Sequence, residues 1–219
     1  CTGAFLTQES CQAYIDNGVK KVVMSAPAKD DTPTFVIGAN ENSYAGQAIV
    51  SNASCTTNGL APVAKVLDEA FGIEKGLMTT LHSYTNDQNI LDVKHKSDKR
   101  RARAGAANMI PTSTGAAKAM KLIMPQLDGK IHGQSVRVPT PNVSMIDVNF
   151  IVKKDTTKEE INALFESKSK ELAGIVSVDN EMMVSSDLIG NTNSTIIASD
   201  LTQVVCGNMI KVMTWYDNE

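Results

Sequence analysis

The stretch S-N-A-S-C-T-T-N-G, residues 51–59, decides how the rest of the chain is interpreted. The apolar pair Ile49-Val50 precedes it and a helix-like run, Leu60 to Phe71, follows it, so a strand should end and a helix begin near Cys55. The free N–H groups and dipole of a helix start favour negative charge and would lower the pKa of this thiol. Cys55 is therefore a candidate nucleophile, although a small buried cysteine beside an ordinary N-cap fits the same spacing.

Five segments, taken in order along the chain, resemble phosphorylating glyceraldehyde-3-phosphate dehydrogenase. They are S-N-A-S-C-T-T-N (51–58), T-L-H-S-Y-T (80–85), P-T-S-T-G-A-A-K-A (111–119), R-V-P-T-P-N-V-S (137–144) and W-Y-D-N-E (215–219). Together they cover the chain almost end to end, which makes the resemblance more specific than any single motif. It implies an NAD-dependent enzyme of glycolysis that converts glyceraldehyde 3-phosphate and inorganic phosphate to 1,3-bisphosphoglycerate.

The composition is that of a globular protein, with 219 residues, 42% hydrophobic and 21% charged. A net charge of −3 gives no general reason to expect a membrane or nucleic acid as a partner. The sequence has no apolar run of membrane-spanning length and no signal-peptide pattern, so we expect a cytoplasmic protein. The four cysteines lack the spacing of a metal site or a disulfide framework, and we predict no metal.

The ends of the chain led us to expect a fragment. It starts at Cys1 rather than Met, stops at Glu219 inside a family-like segment, and contains no G-x-G-x-x-G motif. In the family that glycine-rich turn cradles the dinucleotide. We therefore expect most of the N-terminal NAD-binding region and the C-terminal helix to be missing, and the fragment alone to be inactive.

Residues 1–54 contain a helical run, Gln8 to Asn17, and two short apolar runs, 22–24 and 35–37, which we predict to be strands. Strands alternating with a helix indicate the last units of a parallel sheet. By resemblance, this part is the C-terminal end of a dinucleotide-binding, Rossmann-like domain. The resemblance also implies four cofactor contacts: Thr2, Gly3, Ser25 and Asn218.

In residues 55–219 the predicted strands come in runs, with helices to one side. This order predicts an α+β catalytic domain, with a mostly antiparallel mixed sheet and helices on one face. We predict helices after Thr56, over Ala116–Met124 and after a capping box at 156–159. The predicted strands are Met78–His82, Val136–Val138, Val143–Val152, Ile175–Val178, Thr195–Ala198, Gln203–Cys206 and Met209–Trp215.

His82, at the end of a predicted strand, is the expected partner of the cysteine. A cysteine nucleophile needs a base within about 3 Å, and an imidazole has a suitable pKa near neutrality. The other histidines, His95 and His132, lie in polar or glycine-flanked contexts. The family's catalytic histidine also matches His82.

Two groups of residues resemble phosphate sites of the family. Thr114 and Gly115 open a helix, which is a favourable position for an anion, although capping alone would explain these residues. The planar fork of Arg137 suits a phosphate. By resemblance, Arg137, Thr85 and Asp87 receive the substrate's own phosphate, whereas Ser54, Thr56, Thr114 and Gly115 hold the attacking phosphate.

The expected chemistry is covalent redox catalysis. The Cys55 thiolate attacks the aldehyde to give a thiohemiacetal, hydride leaves to the nicotinamide, and phosphate releases the resulting thioester as an acyl phosphate. His82 accepts the protons, and its imidazolium form should hold Cys55 as a thiolate.

A basic loop, residues 94–103, has two interpretations. Its lysines and arginines indicate a solvated face or a subunit contact, with Arg101 as a weak phosphate-site candidate. By resemblance the loop lies across a subunit interface of a homotetramer. Three other functions fit parts of the sequence: a sister dehydrogenase acting on erythrose 4-phosphate, a Cys–His hydrolase, or a scaffold whose basic loop binds a partner or RNA.

Overall fold

The computed structural model describes residues 4–95 and 98–219. The predicted cofactor contacts Thr2 and Gly3 lie outside the described residues. The helices are α1 (Gln8–Asp16), α2 (Cys55–Phe71), α3 (Ala116–Ile123) and α4 (Lys158–Glu171). The strands are β1 (Val22–Met24), β2 (Ile49–Ser51), β3 (Ile73–Ser83), β4 (Ile110–Ser113), β5 (Ile131–Val138), β6 (Ser144–Val152), β7 (Val176–Asp179), β8 (Thr195–Ala198), β9 (Gln203–Val205) and β10 (Met209–Tyr216).

The first 54 residues form a small parallel sheet of β1 and β2 with α1 packed against it. The predicted strand at 35–37 is wrong. The backbone N–H of Val36 donates to Asn40 Oδ1 at 2.8 Å, and its carbonyl accepts from the backbone of Ala39 and Asn40. These local bonds close a turn, so only an isolated bridge from Thr34 reaches β2.

The remainder is built on one large sheet with the order β4-β5-β3-β6-β10-β8-β7, and β9 pairs with β10. In the described part of the chain, its pairs are antiparallel except β3 with β5 and β7 with β8. The predicted α+β class with a mostly antiparallel mixed sheet is therefore confirmed. Strand β4 lies at the edge of the sheet. Pro111 has no backbone N–H to donate, and at an edge strand this removes no hydrogen bond between central strands.

The helices cover one face of this sheet. Along β6, Ile146, Val148 and Phe150 point to that face and are fully buried. The alternate residues Asp147, Asn149 and Ile151 are only half-buried. Helix α2 packs its apolar residues, such as Leu60 and Leu67, into the same core. No helix of the described part of the chain covers the opposite face, where Leu77, Leu81 and Met209 are exposed by 68%, 38% and 44%.

The capping box of α4 is one residue later than predicted. Thr157 caps the helix, with its Oγ1 accepting from Glu160 N–H at 3.2 Å and Glu160 Oε2 accepting from the Thr157 N–H. Because Thr156 and Thr157 are adjacent, the sequence alone does not show which of them caps the helix. Within the described residues, no helix combines the length and apolarity needed to cross a membrane.

Candidate active site

A sharp turn between β2 and α2 presents Cys55 as the first residue of the helix. Ala53 is held in the left-handed region at φ 58°, an uncommon conformation for a residue other than glycine. Ser54 then caps α2 by accepting from the Thr57 N–H at 3.1 Å. The turn therefore fixes the Cys55 thiol at a helix N-terminus, where developing negative charge is favoured.

The end of β3 brings His82 to the cysteine. His82 Nε2 lies 3.4 Å from Cys55 Sγ, and the ring is 5% exposed. On its other side, Nδ1 donates to the backbone oxygen of Ser83 at 2.7 Å. Because the proton of the neutral ring is then on Nδ1, Nε2 presents a lone pair to the thiol and is positioned to accept its proton.

The charge states of this pair differ from those predicted. Burial raises the pKa of the Cys55 thiol above its ordinary value, although hydrogen bonds from Thr56 and the positive charge of Arg137 oppose this. Burial and the repulsion of Arg137 lower the pKa of His82 to about 4. Both shifts oppose the predicted thiolate–imidazolium pair in this state, because burial disfavours each charged form. They favour a thiol facing a neutral imidazole.

Arg137 lies beside His82 because the two residues are register partners in the parallel pair of β3 and β5. Its NH1 lies 2.9 Å from His82 Nδ1, donates to Ser83 O at 3.0 Å and to Thr85 Oγ1 at 3.3 Å. Its buried Nε has no hydrogen-bond partner among the residues that the structure describes. A buried donor on a charged group is costly unless a ligand satisfies it.

A cavity of about 210 Å³ joins these residues. The cavity is lined by Pro27, Ser54, Cys55, Thr56, Thr57, His82, Ser113, Thr114, Gly115, Ala116, Ala119, Ser135 and Arg137. Besides Arg137 Nε, the buried hydroxyl of Ser135 is also without a protein partner. Hydroxyls, a helix start and an unpartnered guanidinium donor together fit an oxyanion such as phosphate.

Ser135 was not predicted as a site residue, but the sequence contained a pattern that points to it. Side chains two residues apart on a strand lie on the same face, so Ser135 must share the face of Arg137 on β5. Gly115 lines the cavity, and a Cβ there would meet no atom within 4 Å. This leaves its backbone open to a ligand.

Thr85 and Asp87 do not line the cavity that contains Cys55 and Arg137. Thr85 receives the hydrogen bond from Arg137, whereas Asp87 forms an ion pair with Arg101, with 3.3 Å between Asp87 Oδ2 and Arg101 NH1. Arg101 Nε also donates to Thr112 Oγ1 at 2.9 Å. Arg101 therefore links the basic loop to β4, and its ion pair with Asp87 neutralises part of the loop's positive charge.

A second, polar depression of about 280 Å³ opens on the other side of Cys55. It is lined by Ser25, Asn52, Ala53, Cys55, Asn58, Asn191, Thr192, Asn193, Ser194 and Asp217. Asn218 follows directly in the chain, with its Oδ1 accepting from Ser144 Oγ at 2.7 Å. Amide and hydroxyl groups beside a nucleophile suit the carboxamide and ribose of a nicotinamide cofactor.

Tyr216 packs next to His82 and Cys55's helix, and it was not predicted to be a site residue. Its hydroxyl lies 2.8 Å from both Thr56 Oγ1 and Thr80 Oγ1, and its ring packs edge-on to His82 with centroids 5.9 Å apart. Burial raises its pKa well above the ordinary value, so the phenol stays neutral. The tyrosine thus ties α2 to β3 beneath the reacting atoms.

The other two histidines are apart from this site. The Nδ1 of His95 accepts from the Asp98 N–H at 3.0 Å, and His132 lines an apolar groove on the uncovered sheet face. Within residues 4–95 and 98–219, no group of three or more His, Cys, Asp or Glu side chains could hold a metal ion.

Comparison with known families agrees with this geometry. Residues 54–218 match the family model described as glyceraldehyde 3-phosphate dehydrogenase, C-terminal domain. The chain is 52% identical over 221 residues to a glyceraldehyde-3-phosphate dehydrogenase of Priestia megaterium and equally similar to that of Geobacillus stearothermophilus. It is 54% identical over 220 residues to a chloroplastic one of Arabidopsis thaliana.

These alignments include 100% of this chain but only part of each relative. They cover 66% of the two bacterial proteins and 55% of the plant protein. The chain therefore spans about two thirds of the length of the bacterial relatives it matches.

Proposed function

Because the chain belongs to the glyceraldehyde-3-phosphate dehydrogenase family, we propose that it supplies the catalytic domain of an NAD-dependent enzyme of glycolysis. The reaction oxidises glyceraldehyde 3-phosphate with phosphate to 1,3-bisphosphoglycerate. The observation that carries this proposal is the 3.4 Å contact between Cys55 Sγ and His82 Nε2 beside an unpartnered Arg137 donor. The reaction needs a nucleophile, a base and an anion-binding site in one cavity.

Cys55 and His82 perform the covalent step in this proposal. His82 Nε2 takes the thiol proton as Cys55 Sγ bonds to the aldehyde carbon, which gives a thiohemiacetal on the sulfur. The imidazole then takes the O–H proton of that adduct as its C–H bond is oxidised to a thioester. A neutral imidazole with its proton on Nδ1 can accept at both stages, provided that it releases the first proton in between.

Phosphate binding completes the reaction. We assign the substrate's phosphate to Arg137, Thr85 and Asp87, and the attacking phosphate to Ser54, Thr56, Thr114 and Gly115. A phosphate oxygen attacks the thioester carbon, the C–S bond breaks, and Cys55 leaves as the thiolate. Asp87 supports this only indirectly, since its own charge opposes an anion and is offset by Arg101.

The cofactor proposed is NAD, which accepts the hydride when bound. Ser25 lines the polar depression beside Cys55, and Asn218 follows the lining residue Asp217 in the chain. These two residues would hold the nicotinamide end. We also propose that the chain divides into residues 1–54, the end of a dinucleotide-binding domain, and residues 55–219, the catalytic domain. The two separate sheets support that division.

The test is NADH formation by the full-length protein with glyceraldehyde 3-phosphate, NAD and phosphate. Cys55→Ser should abolish the activity and leave thermal unfolding unchanged. The same assay with erythrose 4-phosphate compares kcat/KM for the sister reaction. No NADH from glyceraldehyde 3-phosphate, together with hydrolysis of an ester or amide substrate to the free acid, would instead favour a Cys–His hydrolase and contradict this proposal.

Self-association is proposed as well, with a homotetramer as the expected state. The uncovered sheet face carries an apolar groove lined by Leu77, Ile151 and Met209, with Lys75 and Lys130 at its rim. A sheet with helices on one face only and an apolar second face usually packs against a partner. A second copy of the chain is the occupant we propose.

A further inference from the structure

A buried serine hydroxyl links the two sides of the proposed site. Ser144 begins β6, which lies between β3 and β10 in the sheet, and is 1% exposed. Its Oγ accepts from the Ser83 N–H of β3 at 3.0 Å. The same Oγ donates to Asn218 Oδ1, two residues beyond β10, at 2.7 Å.

The direction of these bonds follows from the donors available. A backbone N–H can only donate, so Ser144 Oγ is the acceptor towards Ser83. Asn218 Oδ1 can only accept, so Ser144 Oγ donates its proton there, and the amide lies with Oδ1 turned into the protein. The Nδ2 group of Asn218 is thereby directed away from Ser144. It donates to Glu219 Oε1 at 3.3 Å, which leaves its second proton for a carbonyl of a ligand.

Ser83 connects this arrangement to the reacting residues. Its carbonyl accepts from His82 Nδ1 and Arg137 NH1, while its amide donates to Ser144. Its own hydroxyl donates to Val143 O at 2.9 Å. Every polar group of this fully buried residue is thus used, so Ser83 has little freedom to move.

The corner before β6 holds the hydroxyl in place. Val143 has φ 65°, a left-handed conformation that is strained for a β-branched residue. The strain is maintained by the Val143 N–H, which donates to Asn142 Oδ1 at 2.7 Å, and by the hydrogen bond from Ser83. Such strain is retained where the surrounding contacts determine the geometry.

We propose that Ser144 is a positioning residue that fixes the amide of Asn218 for the cofactor and couples it, through the backbone of Ser83, to His82 and Arg137. The proposal rests on the proposed function, since it takes the ligand carbonyl to be that of the nicotinamide carboxamide. Ser144 itself touches neither substrate nor cofactor. Its effect should therefore depend on Asn218.

A double-mutant cycle in the full-length protein tests this dependence. Ser144→Ala should raise the KM for NAD about tenfold, the equivalent of one lost hydrogen bond, with a smaller change in kcat. In an Asn218→Ala background the same change should have almost no further effect on the KM. Ser144→Thr, which keeps the hydroxyl, should restore most of the affinity.

The matched control is Ser199→Ala. Ser199 is 9% exposed, and its hydroxyl contacts Asp179 O and Asn180 Oδ1. The variant therefore also loses a buried polar contact, but neither Ser199 nor these two partners line the cavity or the depression beside Cys55. It should leave the KM for NAD unchanged. Thermal unfolding and the alkylation rate of Cys55, measured on each variant, separate loss of fold from loss of positioning.

Two outcomes would overturn the inference. If the wild-type protein forms NADH but the effects of Ser144→Ala and Asn218→Ala on the KM simply multiply, Ser144 does not act through Asn218, and this inference alone falls. If the wild-type protein forms no NADH, the proposed function falls and takes the inference with it.

Discussion

At the scale of single residues, Arg137 controls the charge of the reacting pair. Its guanidinium lies 2.9 Å from the His82 ring and opposes an imidazolium, while it favours a thiolate on Cys55. A bound phosphate would offset that positive charge and raise the pKa of His82 again. Substrate binding would thus make the imidazole a better base at the step that needs one.

Replacing Arg137 by methionine should move the alkylation of Cys55 to higher pH. The charge that lowers the thiol pKa is removed, so the midpoint of the pH–rate profile with neutral iodoacetamide should rise by about half to one pKa unit. Arg103→Met is the control, because Arg103 is exposed and pairs with Asp92. Identical midpoints for wild type and Arg137→Met would contradict the electrostatic role.

His82 should also make the stability depend on pH. Its pKa is lowered to about 4 in the folded state, so the unfolded chain binds the extra proton between pH 6.5 and 4. The stabilisation from a neutral His82 is complete above pH 6.5 and lost as the pH falls to 4, by up to about 3 kcal/mol. Urea unfolding of His82→Gln should therefore show a shallower loss between pH 7 and 5 than wild type or His132→Gln, and parallel curves would refute this.

At the scale of elements, the cap of α2 matters for function as well as stability. Ser54→Ala removes the acceptor of the Thr57 N–H and should cost about 1 kcal/mol. Because Cys55 follows this cap, fraying of the first turn should also slow its alkylation. Thr157→Ala removes the comparable cap of α4 and should cost a similar free energy of unfolding with unchanged alkylation. Equal effects of both variants on Cys55 would contradict a local role for the cap.

How much of this could be predicted varies with the kind of contact. Helix α2 and its start at Cys55 followed from local sequence, because apolar spacing and a serine cap are both local. Strand β3 was predicted only from Met78, since the charged residues Glu74 and Lys75 hide its first half. The turn at Val36 depends on Asn40, and no apolar pattern reveals a side chain that bonds the backbone.

The features of the site also differ in how far they could be predicted. The residues Cys55, His82 and Arg137 could be predicted by resemblance, and the structure brings them together. Their charge states could not, because burial depends on the packing of the whole sheet. Tyr216 and Ser144 were missed because their hydrogen bonds join residues as much as 160 positions apart.

At the scale of the whole molecule, the uncovered sheet face should be an interface between copies. Leu77→Lys places a charge in the apolar groove and should convert the full-length protein to smaller species in sedimentation-velocity experiments. Leu122→Lys is the matched control, since Leu122 is an exposed leucine of α3 on the helical side. An unchanged sedimentation coefficient for Leu77→Lys would exclude this face.

The most direct test of the central claim is whether an acyl group passes from Cys55 to phosphate. This chain, mixed with p-nitrophenyl acetate, should become acetylated on Cys55, as found by mass spectrometry of its peptides. Added phosphate should then speed the loss of that acetyl group and yield acetyl phosphate, and Arg137→Met should weaken the effect. Acetylation at other residues, or release of acetate at a rate independent of phosphate, would contradict the account.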